Sequence, residues 1–148
     1  MRIRPMEKRD EAEVLEMMAV FYASEAVLSN GSEEIFRQDF ENCVSDFPFV
    51  QGYVFQQDGA LVGYAMVAKS YSTEFGRPCI WIEDLYLREN ARGKGYGKQF
   101  FRELEQQFPG VIFRLEAEPE NERAIGLYRK VGFDVLPYTQ LKKLMGGN

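Results

Sequence analysis

The chain has 148 residues, of which 45% are hydrophobic and 28% are charged, and its formal net charge is −5. This length and balance are typical of one globular domain that buries its own core, so a single domain over residues 1–148 is expected. The acidic balance disfavours nucleic-acid partners, whose phosphates it would repel. The absence of histidine excludes the usual Ser-His-Asp and Cys-His hydrolases and leaves a poor ligand set for zinc, so no metal is expected.

The N-terminus contains no apolar stretch of the kind that marks a signal peptide. The longest apolar run, Leu61 to Ala68, is far too short to span a bilayer. We therefore expect a cytoplasmic protein without a membrane partner. Cys43 and Cys79 are expected to be free thiols, and the sequence leaves a homodimer open.

Apolar periodicity and turn residues predict an α/β chain. The predicted elements are a short strand over 2–5, helices from Asp10 and Ser32, strands over 50–57, 60–71 and 79–87, a helix from Tyr96, a strand over 111–118, a helix over 121–131, and short strands over 133–136 and 139–144. Asp10 and Glu13 form a capping-box pattern, and Asp58-Gly59 is typical of a hairpin turn. The order β-α-α-β-β-β-α-β-α-β-β predicts a mixed sheet flanked by helices.

A glycine-rich turn, Arg92 to Gly97, joins a predicted central strand to the next helix. Glycines allow a ligand to approach the backbone, and the helix N-terminus offers free N–H groups and partial positive charge. Taken alone, the pattern is equally typical of a tight strand-to-helix turn. It lacks the Gly-Lys-Ser/Thr end of a Walker loop, and it does not follow the first strand as a dinucleotide fingerprint would.

Two segments together resemble the GCN5-related N-acetyltransferase (GNAT) superfamily. Arg92-Gly93-Lys94-Gly95-Tyr96-Gly97 resembles its pyrophosphate-binding motif Arg/Gln-x-x-Gly-x-Gly, and Asn121, Ala124, Tyr128 and Gly132-Phe133 match its downstream pattern. A narrower match, Tyr71-Ser72-Thr73 followed by residues 81–87, is similar to diamine (spermidine/spermine) N-acetyltransferases. The resemblance implies a mostly antiparallel mixed sheet and acetyl-CoA as co-substrate, and it weakens after Phe133.

The resemblance also implies roles for individual residues. Tyr128 would be the acid that protonates the leaving thiolate, and Asn121 would bond the pantetheine arm. The remaining implied acetyl-CoA contacts are Leu85, Tyr86 and Leu87, as an added strand, and Arg92, Gly93, Lys94, Gly95, Tyr96, Gly97 and Lys98, at the pyrophosphate.

An alkyl amine has a pKa near ~10.4, so a base must deprotonate it before it can attack a thioester. Glu83 is our first candidate, acting through water, and Glu116 is the second; either could instead simply bind a cationic substrate. On an ideal strand Asp84 would point away from Glu83, although a bulge would change that.

These features predict an N-acetyltransferase that acts by direct attack of a primary amine of a small cationic acceptor, such as a diamine or polyamine. The alternatives are an aminoglycoside, an amino acid or a protein N-terminus as acceptor. A CoA-binding sensor without turnover is a further alternative, which the presence of both Glu83 and Tyr128 argues against.

Overall fold

A computed structural model describes residues 1–146 of the chain. Its elements, in chain order, are β1 (Arg2–Pro5), a 3-10 turn (Lys8–Asp10), α1 (Glu11–Tyr22), α2 (Glu33–Cys43), β2 (Val50–Gln57), β3 (Ala60–Ser72), β4 (Arg77–Leu87), a second 3-10 turn (Glu89–Ala91), α3 (Tyr96–Gln107), β5 (Ile112–Leu115) and α4 (Glu122–Lys130). None of the helices in this part of the chain is long and apolar enough to cross a membrane.

The five strands form one sheet in the order β1-β2-β3-β4-β5. Neighbouring strands are antiparallel except β4 and β5, which run parallel. The hairpin between β2 and β3 turns at Asp58 and Gly59, whose φ angles of 52° and 81° are those that an Asp-Gly turn favours. The predicted mixed, mostly antiparallel sheet flanked by helices is therefore confirmed.

Alternating side chains divide the core between the two faces of the sheet. Val54, Tyr64 and Met66 pack with α1 and α2 on one face. Their neighbours along the strands, including Phe55 and Ala65, pack with α3 on the other face. This period of two is what a central strand requires when both of its faces are covered.

The predicted cap at Asp10 does not form on α1, whereas α2 begins with a side-chain cap at the residue from which that helix was predicted to start. The Ser32 hydroxyl accepts a hydrogen bond from the Ile35 N–H at 3.2 Å at the start of α2. Asp10 precedes α1 as predicted, but its carboxylate makes no cap bond to that helix. It accepts instead from the Glu7 N–H at 2.8 Å, as part of a capping box on the preceding 3-10 turn, and it binds the buried Arg4 guanidinium at 2.8 and 2.9 Å.

The two strands predicted over 133–136 and 139–144 are not formed, and residues 131–146 contain no helix or strand. The sheet edge next to them is only four residues long, because β5 ends at Leu115 rather than at 118 as predicted. Glu116, predicted to lie on this strand, lies one residue beyond it.

Candidate active site

The strand β4 contains a bulge at Glu83. Val67 of β3 pairs with Ile82, and the adjacent Met66 pairs with Asp84, so Glu83 is an extra residue on β4. A bulge of this kind shifts the alternation of side chains by one position. Asp84 therefore faces α1 and α2, whereas Ile82 packs on the α3 face. The ideal-strand geometry that separates Asp84 from Glu83 does not apply here.

The pairing of β4 with β5 stops at the same point. Cys79–Ile82 pair with Ile112–Leu115, and beyond Ile82 the pairing of β4 in the described residues is with β3 alone. Residues 85–87 have main-chain groups that point away from β3, and within residues 1–146 these groups have no strand partner. One of them, the Leu87 carbonyl, accepts a hydrogen bond from Arg92 Nε at 3.0 Å. An extended ligand can pair with such an edge as an added strand.

Four carboxylates form a group beside the bulge, in which burial and the charges of the other three raise the pKa of Glu83. They are Asp39 on α2, Glu83 and Asp84 on β4, and Glu116 after β5. Burial raises the pKa of Asp39, and burial followed by the charges of the other three raises the pKa of Glu83. No Lys or Arg within the described chain forms an ion pair with any of the four. This acidic cluster therefore carries negative charge that the described residues do not neutralise by direct pairing.

Asp84 is the buried member of the acidic cluster, with 2% of its surface exposed. Its carboxylate accepts hydrogen bonds from the Tyr22 hydroxyl at 2.9 Å and the Tyr64 hydroxyl at 2.8 Å. Burial nevertheless outweighs these two bonds and raises the pKa of Asp84 to about 6. Because Tyr22 is the last residue of α1, the network also ties the end of that helix to the bulge.

The glycine-rich turn shapes the N-terminus of α3. Gly93 and Gly95 have φ angles of 76° and 81°, which other residues rarely adopt. Gly95 is the N-cap and offers no side chain to the free N–H groups of the first helical turn. A Cβ built on Gly97 would meet nothing within 4 Å, so neither packing nor backbone conformation explains that glycine.

The charges around this turn favour an anion. The first turn of α3 contains no acidic residue, and Arg92, Lys94 and Lys98 are exposed beside it. The helix dipole adds partial positive charge at the same end. The residues present therefore fit a pyrophosphate, with backbone N–H donors, cations and free space in one place.

Tyr128 lies on the α3 face of the sheet. Its ring packs edge-on against Phe101 and Phe133, each with centroids 6.1 Å away. Burial raises the pKa of Tyr128, which keeps the phenol protonated at neutral pH. Its hydroxyl makes no hydrogen bond to another group of the described chain, so the proton is free for a ligand.

Asn121 has a structural task that the sequence did not reveal. It is the N-cap of α4, and its side-chain oxygen accepts a bond from the Ala124 N–H at 3.2 Å. The expected pantetheine contact would therefore fall to the side-chain nitrogen.

Glu83 and Glu116, both predicted for the site, lie close enough that, besides burial, the charge of Glu116 raises the pKa of Glu83. Asp39, Asp84 and Tyr22 also belong to this group, and the sequence analysis did not assign them to the site. The acidic cluster extends from α2 on one face, whereas Tyr128 packs on the other. The parted strands β4 and β5 lie between them. In the sequence, the position of Asp84 next to Glu83 was the one indication that it belongs to the site. The bulge that directs its side chain towards α1 depends on the pairing of β4 with β3, which a local pattern does not show.

A sequence model of the acetyltransferase (GNAT) family matches residues 15–133. The chain is 35% identical over 78 residues to the N-alpha-acetyltransferase RimI of Mycobacterium tuberculosis and 33% identical over 79 residues to the thialysine N-epsilon-acetyltransferase of Sus scrofa. Each match covers 51% of this chain and 46% of the relative, so the chain spans about half the length of these curated relatives.

The fold is also that of solved proteins with little sequence identity. The structure of AAC(6')-Iy in complex with the bisubstrate analog CoA-S-monomethyl-acetylneamine superposes with a TM-score of 0.79 at 15% identity, covering 97% of each chain. At this identity, the likeness concerns the fold alone.

Proposed function

This chain belongs to the acetyltransferase (GNAT) family, and we propose that it transfers an acetyl group from acetyl-CoA to a primary amine of a small cationic acceptor such as a diamine or polyamine. The observation that carries the proposal is the parting of β4 from β5 at the Glu83 bulge, with carboxylates beside it and a protonated Tyr128 on the opposite face.

The turn from Arg92 to Lys98 holds the pyrophosphate of acetyl-CoA in this proposal. The N–H groups of the first turn of α3 donate to the phosphate oxygens, and the free space at Gly97 admits them. The exposed edge of Leu85, Tyr86 and Leu87 pairs with the pantetheine arm, and the Asn121 amide nitrogen donates to it. The thioester then lies in the opening between β4 and β5.

Glu83 acts as the base in this scheme. A water molecule carries a proton from the acceptor ammonium to its carboxylate, which leaves a neutral amine to attack the thioester carbonyl carbon. The raised pKa of Glu83 suits this task, because a carboxylate of higher proton affinity takes a proton from the amine more readily. Glu116 is the alternative base, and a β4 backbone N–H stabilises the negative charge that develops on the carbonyl oxygen.

Tyr128 supplies the second proton. As the tetrahedral adduct collapses, the carbon–sulfur bond breaks, and the CoA sulfur takes the proton of the Tyr128 hydroxyl. The nitrogen of the adduct loses its remaining extra proton to solvent, Glu83 returns its proton to solvent, and solvent reprotonates the phenolate. The cycle therefore consumes acetyl-CoA and an ammonium ion and produces CoA, an amide and one proton. A phenol is protonated at neutral pH at its ordinary pKa of about 10, and burial shifts the pKa of Tyr128 further in that direction.

The acidic cluster supports a cationic acceptor. Four carboxylates without an ion-pair partner in the described chain attract an ammonium group and hold a second one beside the reactive amine. A neutral or anionic acceptor would leave this charge uncompensated. Neither nucleic acid nor a membrane enters the proposal, no metal is required, and a cytoplasmic site of action is part of it.

Thiol release from acetyl-CoA, measured against a panel of amines, tests the proposal. We expect diamines and polyamines to be the best acceptors. An aminoglycoside or peptide N-terminus that outperforms them would favour the alternative acceptors. CoA binding without any turnover would favour a sensor module.

A further inference from the structure

Beyond Phe133, which packs against Phe101 and Tyr128, the C-terminal segment (residues 134–146) makes side-chain hydrogen bonds to the rest of the described fold through Tyr138 and Gln140. The Tyr138 hydroxyl donates at 2.6 Å to the carboxylate of Glu74, which lies in the turn between β3 and β4. The Gln140 amide nitrogen, in the orientation that satisfies both groups, donates to the two oxygens of Glu116 at 3.0 and 3.1 Å. The segment therefore reaches a member of the acidic cluster.

Apolar burial does not hold this part of the segment in place. Leu141, Leu144 and Met145 are 93%, 63% and 76% exposed, and the segment contains no strand. Packing therefore explains little of its path at this point, and the bonds to Glu74 and Glu116 are its anchors.

The choice of an amide at position 140 preserves the charge of Glu116. A carboxylate offers about four lone-pair positions, and the Gln140 amide occupies one on each oxygen. The remaining positions are free to accept from an ammonium group. Lys142 and Lys143 follow closely in sequence, but neither forms an ion pair within the described residues. The segment thus orients Glu116 without neutralising it.

We propose that Gln140 is a positioning residue for the acceptor, which fixes the Glu116 carboxylate so that its free lone pairs accept from the ammonium group of the substrate. Gln140 then lies at the wall of the acceptor site, and the residue at this position helps to set which amines are accepted. This inference rests on the proposed function, whose cationic acceptor it assumes.

Two substitutions with opposite electrostatic effects test the role. Gln140→Ala removes the orienting bonds, and we expect KM for 1,4-diaminobutane to rise about threefold to tenfold, with kcat and KM for acetyl-CoA unchanged. Gln140→Lys places an ammonium group against Glu116, so KM for the diamine should rise further. The exposed neighbour Thr139→Ala is the matched control for disturbance of the segment and should behave as wild type.

A structural role alone would lower the melting temperature without moving the KM of the acceptor. An unchanged or lowered acceptor KM in Gln140→Ala overturns the inference, and so does an equal rise in Thr139→Ala. Failure of the proposed function is distinguishable, because the wild-type enzyme would then prefer a different acceptor in the panel. The same variants are in that case measured with the preferred acceptor, and an unchanged KM there also overturns the role of Gln140.

Discussion

Gly97 offers a test that separates ligand binding from folding. It lies in the first turn of α3, its backbone conformation is available to any residue, and an added Cβ meets nothing within 4 Å. Gly97→Ala should therefore stabilise the fold by up to about 1 kcal/mol, because alanine loses less backbone entropy in a helix. For a chain of this size, that free energy corresponds to a rise in melting temperature of roughly 2–4 °C.

The larger Gly97→Leu side chain should fill the space that we assign to the pyrophosphate. A hydrogen bond to a charged group contributes about 1.5–3 kcal/mol, so losing one phosphate contact weakens CoA binding about tenfold to a hundredfold. Isothermal titration with CoA measures the affinity, and thermal melts confirm folding.

Gly126 supplies the matched control. It lies within α4 and also has open space at its Cβ, so Gly126→Leu should leave CoA affinity unchanged. A folded Gly97→Leu variant with wild-type CoA affinity would refute the placement of the pyrophosphate.

Three further outcomes follow from the site. Tyr128→Phe should lower kcat by about 10²- to 10⁴-fold with CoA affinity unchanged, and a wild-type rate with chemistry rate-limiting would exclude it as the acid. Glu83→Gln should also slow turnover, but the defect should shrink at high pH, where the amine loses its proton unaided; a defect independent of pH in rate profiles would count against Glu83 as the base. Because the pKa of Asp84 is raised to about 6, the folded state binds more protons at this residue than the unfolded state does between pH 3.8 and about 6. The contribution of Asp84 to the free energy of unfolding should therefore fall by about 3 kcal/mol as pH rises through that window. Urea denaturation of Asp84→Asn should lack this part of the pH dependence, and an unaltered profile would contradict it.

The local features of the fold could be predicted from the sequence because their causes are local. The Asp58-Gly59 turn fixes the hairpin, and the predicted strand over 50–57 has the same bounds in the structure. The helix α2 begins after Ser32 because the Ser32 hydroxyl accepts a hydrogen bond from the first turn of that helix. Turn and cap chemistry need only a few neighbouring residues.

The features that depend on distant partners could not be predicted in this way. Whether Asp84 faces α1 depends on the number of residues in β3 opposite β4, which no local pattern records. Asp39 joins the acidic cluster only because α2 packs on that face of the sheet. The C-terminal strands were wrong for a related reason, since strand propensity over 139–144 has little effect when the edge strand β5 is only four residues long.

The most direct test of the account compares two acceptors that differ by one charge. 1,4-Diaminobutane and 1-aminobutane share an alkyl chain and a reactive amine, but only the diamine has a second ammonium group for the acidic cluster. The account predicts a kcat/KM at least about tenfold higher for the diamine, since a hydrogen bond between the second ammonium group and a carboxylate of the cluster contributes about 1.5–3 kcal/mol. Equal values, or a preference for the monoamine, would contradict the assignment of the acidic cluster to a cationic acceptor.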